Sequence, residues 1–162
     1  FASNFQSIIL KPLDGYGGSG IFKIKTDDTN IDSAIELLSS NGKQFIIAQE
    51  ALDHTKGDKR ILLLDGKPLG AVLRKSDISH RNNFMAGGMP FKTDITDSDK
   101  AIIHELQPYL TNNHLPFVGI DIIDNKLTEI NVTSPTCLQE MNQLYNVTLQ
   151  GDIIDDMESK IA

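Results

Sequence analysis

The chain has 162 residues, a formal net charge of -7 and a single cysteine. That length is one domain's worth, 1–162, and large enough for a real core. An acidic balance with no basic stripe argues against a nucleic-acid partner. No apolar run approaches membrane-spanning length and no charged-then-apolar leader opens the chain, so a membrane protein is not expected. Cys137 alone excludes an internal disulfide and fits a reducing, cytoplasmic setting.

In chain order, residues 8–11 read as a strand that begins almost at once after Phe1, so the chain is expected to be an excised or processed part of something larger. A glycine-bearing loop spans 12–20, and 21–25 is a second strand. Asn30 or Asp32 can cap a helix with Ile31, Ala34, Ile35, Leu37 and Leu38 at helical spacing, ending near Asn41 and Gly42. Residues 45–48 read as a buried strand. Runs 60–64 and 69–74 flank Asp65-Gly66, a hairpin signal. Residues 75–92 are polar and carry Gly87, Gly88 and Pro90, a loop long enough to be functional. Thr96 or Asp97 then opens a helix with Ile102, Ile103, Leu106, Tyr109 and Leu110 on one face, closed by Asn112 and Asn113. A second hairpin joins 117–123 to 126–132 through Asp124-Asn125, and a short segment at 138–144 and a helix at 151–161 follow. Strands outnumber helices and neighbours are joined by hairpins, which makes the fold α+β with a largely antiparallel sheet.

Three groups of residues carry chemistry. Glu129 and Asn131 are two apart on a strand and share a face, with Asp121 on the paired strand. Three oxygen ligands of this kind suit magnesium with a nucleotide, although a solvated polar hairpin face looks the same. Gly15, Gly17 and Gly18 lie in a turn between two strands. The following strand excludes a dinucleotide fingerprint, and the missing Gly-Lys-Ser/Thr ending excludes a Walker loop. A phosphate-covering loop of the kinase kind and a flexible hairpin tip both remain, with Lys11 placed to add charge. Among the arginines, Arg60 opens a strand and Arg74 and Arg81 bracket the long loop. Surface charge is the ordinary role of each, and Arg81, near Asn83 and Gly87-Gly88, is the best candidate for holding phosphate or carboxylate. Cys137 reads as a small buried residue, and His54, His80, His104 and His114 have no metal-ligand spacing. Asp152, Asp155, Asp156 and Glu158 read as a solvent-facing run on the last helix.

Taken together, the strings ILKPLDGYGGSGIF, GDKRILLLDGKP, HRNNFMAGG and FVGIDIIDNKLTEINVTSPT resemble the ATP-grasp part of bacterial glutathione synthetase across nearly the whole chain. The resemblance implies an ATP-grasp fold that holds ATP between two α+β subdomains. It also implies ATP-dependent joining of γ-glutamylcysteine to glycine through an acyl phosphate. By resemblance, Lys11 and Gly15, Gly17 and Gly18 hold ATP phosphates. The hinge from Gln49 and Glu50 to Leu52 reads adenine, and Asp58 falls at the ribose. Arg60 and Arg81, with Asn83, stabilise the acyl phosphate, and Arg74 and Ser134 face the peptide substrate. Asp121, Glu129 and Asn131 bind Mg2+ (or Mn2+). The implied partners are ATP, γ-glutamylcysteine, glycine and the family's amino-terminal domain, with self-association left open.

Two departures stand out. The family's lid carries a Gly-Gly pair, whereas Lys75, Ser76, Asp77, Ile78, Ser79 and His80 include no glycine. The amino-terminal domain and a second ATP-contacting lysine have no counterpart in these residues, so the isolated chain is expected to hold half an active site. Another ATP-grasp carboxylate–amine ligase and a non-catalytic nucleotide-binding or oligomerisation module are the alternatives.

Overall fold

A computed structural model describes residues 1–15, 17–77 and 81–161. Two compact units emerge, one from Phe1–Thr55 with Ser76–Gly88, the other from Lys56–Lys75 with Met89–Ala162.

In the first unit, β1 (Ser7–Pro12) lies between β2 (Phe22–Lys25) and β3 (Ile46–Glu50), antiparallel to both. Alternation along β1 turns Ile8 and Leu10 inward, where they meet Ile24 and Ala34 of helix α1 (Ile31–Leu38). The helix stops where Ser40, Asn41 and Gly42 take left-handed backbone, as the Asn41-Gly42 signal requires. The strand expected at 45–48 corrects to Ile46–Glu50, and it is not buried. Phe45 precedes it at 86% exposure, because β3 is an edge strand and of its residues only Ile46 packs on this core.

The second unit is a five-stranded antiparallel sheet. Its strands are β4 (Asp58–Leu64), β5 (Lys67–Lys75), β6 (Met89–Phe91), β7 (Phe117–Ile123) and β8 (Lys126–Asn131), in the order β6-β5-β4-β7-β8. Both expected hairpins form. Asp65 and Gly66, then Asp124 and Asn125, all have positive φ, the type I′ backbone that matches strand twist. The long loop is interrupted: Met89–Phe91 pairs with the end of β5, and Pro90 is tolerated because β6 is an edge.

One face of this sheet buries Ile61, Leu63, Ala71, Val118, Ile120 and Ile122 against Ile103 and Leu110 of α2 (Asp97–Asn112). Tyr109 leaves that face and is half exposed. On the other face, Leu62 and Val72 are buried, and Gly70 lets Met141 of α3 (Leu138–Tyr145) and Leu149 of α4 (Leu149–Ser159) approach the strand closely. Asp152, Asp155 and Glu158 on α4 are exposed, while Asp156 pairs with Lys160 at 2.6 Å.

The start of α2 is fixed by a capping box. Thr96 Oγ1 accepts from the Asp99 amide, and Asp99 Oδ2 accepts from the Thr96 amide at 2.8 Å. Lys59 Nζ donates to the same carboxylate at 2.6 Å, tying the helix to β4. Burial alone would raise the Asp99 carboxyl, but Lys59 and Thr96 hold it below its ordinary value. Thr96→Ala is expected to destabilise the chain by about 1 kcal/mol, measured by urea unfolding. An unchanged midpoint would mean that Lys59 alone holds the helix start.

Candidate active site

The polar end of the second sheet face is a row of side chains running across four strands. Asp58 pairs with Arg74 across β4 and β5, Arg60 with Asp121 across β4 and β7, and Asp121 with Glu129 across β7 and β8. Gly119 is the partner of Asn131. Positions opposite one another, or two apart on a strand, share a face, so all of these residues point the same way. Just after Asp121 the β7–β8 register shifts, and Thr128 Oγ1 donates to the Asp121 carbonyl at 3.1 Å. A bulge of this kind re-aims a side chain.

Asp58, Arg60, Arg74 and Asp121 are buried. Arg60 grips Asp121 as a fork, Nε on Oδ1 and Nη2 on Oδ2, the latter at 2.9 Å. Arg74 Nη2 lies 3.0 Å from Asp121 Oδ2 and also donates to Asp58 Oδ2. Asn131 is satisfied with its amide oxygen accepting from Arg60 Nη2 at 3.2 Å and its nitrogen donating to Glu129 Oε1 at 2.9 Å. Two carboxylates therefore balance two guanidiniums out of water, while Glu129 is exposed at the row's end.

Position in the row sets the electrostatics. Burial would raise the Asp121 carboxyl, but Arg60 and Arg74 together reverse that and hold it below its ordinary value. Asp58, bonded to Arg74 and drawn more weakly by Arg60, is pushed up to about 6, by burial first and then by the charge of Asp121. Asp58 Oδ1 and Arg74 Nε have no hydrogen-bond partner among the described residues. The carboxylate expected at a ribose is thus turned to Arg74, and Arg74, expected to face a peptide, is held between two carboxylates.

The oxygen-only set of Asp121, Glu129 and Asn131 fits a hard cation. Both Asp121 oxygens already accept from guanidiniums, Oδ1 from Arg60 Nε and Oδ2 from Arg60 and Arg74, so a cation at Asp121 would share that carboxylate with Arg60, and the exposed Glu129 carboxylate is the less engaged of the two. No cluster of three His, Cys, Asp or Glu that could hold a metal occurs among the described residues, and the Asn131 amide oxygen that would complete the set accepts from Arg60 Nη2. Ser134 follows β8 in left-handed backbone and is exposed. Cys137 is buried at the start of α3, and burial raises its thiol. Sequence reasoning passed over Gly119; a glycine inside an otherwise apolar strand was the available signal.

The first unit gathers the remaining candidates. Gly17, Gly18 and Gly20 all have positive φ, so the loop needs glycine there. Arg81 Nη1 donates to the Gly18 carbonyl at 3.0 Å, and Met85 packs where a Gly17 side chain would be. Asn83 approaches Gly18 from the same side and closes a short turn, its carbonyl accepting from the Gly88 amide at 3.0 Å. Arg81 and Asn83 thus meet the glycine loop. Lys11 lies on β1 opposite Ile47, Gln49 and Glu50 end β3, and Leu52 follows. Tyr16 of the glycine loop and Ile78, Ser79 and His80 of the expected lid lie outside the described residues.

A model of the prokaryotic glutathione synthetase ATP-grasp domain matches residues 1–146. The chain belongs to this family. A glutathione synthetase of Shewanella oneidensis is 44% identical over 160 residues, covering 96% of this chain and 50% of the relative. One from Pseudomonas aeruginosa is 41% identical over 165 residues, covering all of this chain and 52% of the relative. The chain therefore spans about half the length of the curated glutathione synthetases it matches. Among solved structures, the ATP-grasp ligase PsnB, complexed with its minimal precursor, Mg and ADP, superposes with a TM-score of 0.69 at 21% identity, over all of this chain and 49% of that one. That likeness places the glutathione synthetase domain in the ATP-grasp fold, α+β with antiparallel sheets of three and five strands. Among the described residues, no helix is long and apolar enough to cross a membrane.

Proposed function

We propose that this domain carries the ATP and magnesium half of a ligase that joins γ-glutamylcysteine to glycine. The observation that supports the reading best is the four-strand row, in which a buried Arg60 fork fixes Asp121 beside Asn131 and an exposed Glu129. A carboxylate that must be phosphorylated and then attacked by an amine needs no protein nucleophile. It needs charge neutralised and reactants aligned. Asp121, Glu129 and Asn131 hold magnesium, which supplies charge neutralisation on phosphate oxygens. Arg60 orients Asp121 and offers guanidinium charge to a developing acyl phosphate. In the first unit, Lys11 with Gly15, Gly17 and Gly18 binds phosphate, and Arg81 with Asn83 stands beside the loop. Gln49, Glu50 and Leu52 offer backbone groups to adenine. Asp58 is kept as a ribose candidate and Arg74 and Ser134 as peptide contacts, each to be tested by substitution. The substrates, the amino-terminal partner half and a cytoplasmic setting belong to the same proposal.

Magnesium–ATP at about a hundredfold over its dissociation constant should stabilise the chain by roughly 2.7 kcal/mol, read as a rise in melting temperature. Glu129→Gln should abolish the magnesium-dependent part, since the bond of this exposed carboxylate seen among the described residues is the one from the Asn131 amide. An unchanged shift in the variant removes Glu129 from the site. No shift at all in the parent chain sinks the nucleotide reading.

A further inference from the structure

Gly119 sits within β7, on the face that carries Asp121, with Leu62 and Asn131 as its partners on the flanking strands. Its φ is not in the left-handed region, so backbone conformation does not call for glycine. Space does. A Cβ at this position would lie 3.1 Å from Arg60 Cδ, 3.3 Å from Arg60 Nη1 and 2.9 Å from Pro135 Cβ.

We infer that Gly119 is a positioning residue: its missing side chain opens the track over β7 along which Arg60 runs to reach Asp121 and Asn131. The geometry is demanding. Arg60 starts on β4 and bonds Asn131 on β8, two strand spacings away, roughly 10 Å between backbones. An arginine covers that span by lying flat on the intervening strand, and the only strand between is β7. A methyl group at 119 would lift the guanidinium stem by several tenths of an ångström. The fork on Asp121 depends on two parallel bonds held in one plane, so such a shift breaks the alignment while leaving the charges in place. Interior glycine weakens a strand, so a glycine inside β7 calls for a packing reason. Arg60 and Pro135 both supply one, and Arg60 is the neighbour that reaches the charged row. The role assigned to Gly119 in catalysis rests on the ligase reading above; its role in holding Arg60 does not.

The experiment is nitrogen-15 NMR of the chain, following the Arg60 Nε–H signal, assigned by its absence in Arg60→Lys. In the parent chain this proton, buried on Asp121, should exchange slowly with water. Gly119→Ala should lose or displace that signal while the backbone amide spectrum of the rest of the chain is kept, and the magnesium–ATP melting shift should shrink. Retention of the Arg60 signal at its parent position in Gly119→Ala overturns the inference. Should that variant not fold, Gly119→Ala with Pro135→Gly removes the 2.9 Å contact and keeps both Arg60 contacts, and the signal must still move. A parent chain with the slow Arg60 signal and no magnesium–ATP shift would sink the ligase reading and leave the glycine's role standing.

Discussion

Assayed alone with γ-glutamylcysteine, glycine and magnesium–ATP, these 162 residues are expected to form no measurable glutathione. The chain spans about half of the glutathione synthetases it matches, and on the proposed reading the row on the second sheet supplies charge and candidate metal ligands but not the alignment of both substrates. Acyl phosphate chemistry depends on holding the amine in line and keeping water away. Losing proximity alone can forfeit roughly 7–11 kcal/mol, enough to take a rate below detection. Adding the separately expressed amino-terminal half of a relative should restore glutathione formation, measured by chromatography of the product. Product from the isolated chain would overturn the half-site reading. A mixture that stays inactive, with both halves folded and nucleotide bound, would move the chain to the non-catalytic alternative.

The second large effect concerns stability. Asp121→Asn should destabilise the chain by about 3–5 kcal/mol, because it leaves two buried guanidiniums facing a neutral amide. For a chain of this size that is a fall in melting temperature on the order of 10 °C. The pH dependence separates the two carboxylates. Asp121 is held below the ordinary 3.8, so its contribution is present above that pH and is lost as pH falls through the lower folded value. Asp58 has the opposite sign. With its folded value at about 6, its contribution is present below 3.8 and declines as pH rises towards 6. Asp58→Asn should therefore remove a fall in stability between about pH 4 and 6, followed by urea unfolding across that range. A parent chain whose stability is flat there, and a variant no different, would mean that Asp58 is hydrated rather than enclosed.

The strands and hairpins were legible because their signals are local. Asp65-Gly66 and Asp124-Asn125 state their own turn type, and the spacing of Glu129 and Asn131 dictates a shared face. What stayed hidden depends on partners far away in the chain. Residues 45–48 look apolar enough for a core, yet their position at a sheet edge leaves Phe45 exposed, and edge or centre is decided by β1. Met89–Phe91 is too short and too rich in proline to announce a strand; it exists because β5 offers it an open edge. The site was legible as residue types and not as bonds. On its own residues Arg74 could be a surface charge, and by resemblance a peptide contact, because nothing local reveals that Asp58 lies opposite it and Asp121 one strand further on.

The separation of Arg60 and Asp121, 61 positions apart in the chain, has a consequence for how the molecule is made. The β4–β5 and β7–β8 hairpins close short loops and can form early, each without the other. Joining β4 to β7 closes the long loop between them, and pairings of high sequence separation are the slow ones. The buried fork lies on that seam. Until the seam closes, Arg60 and Asp121 stay hydrated on separate hairpins, and the charged row does not exist. Recovery of the slow Arg60 proton after dilution from urea would therefore time the closing of that seam, and a chain stalled before it would carry two finished hairpins and no charged row.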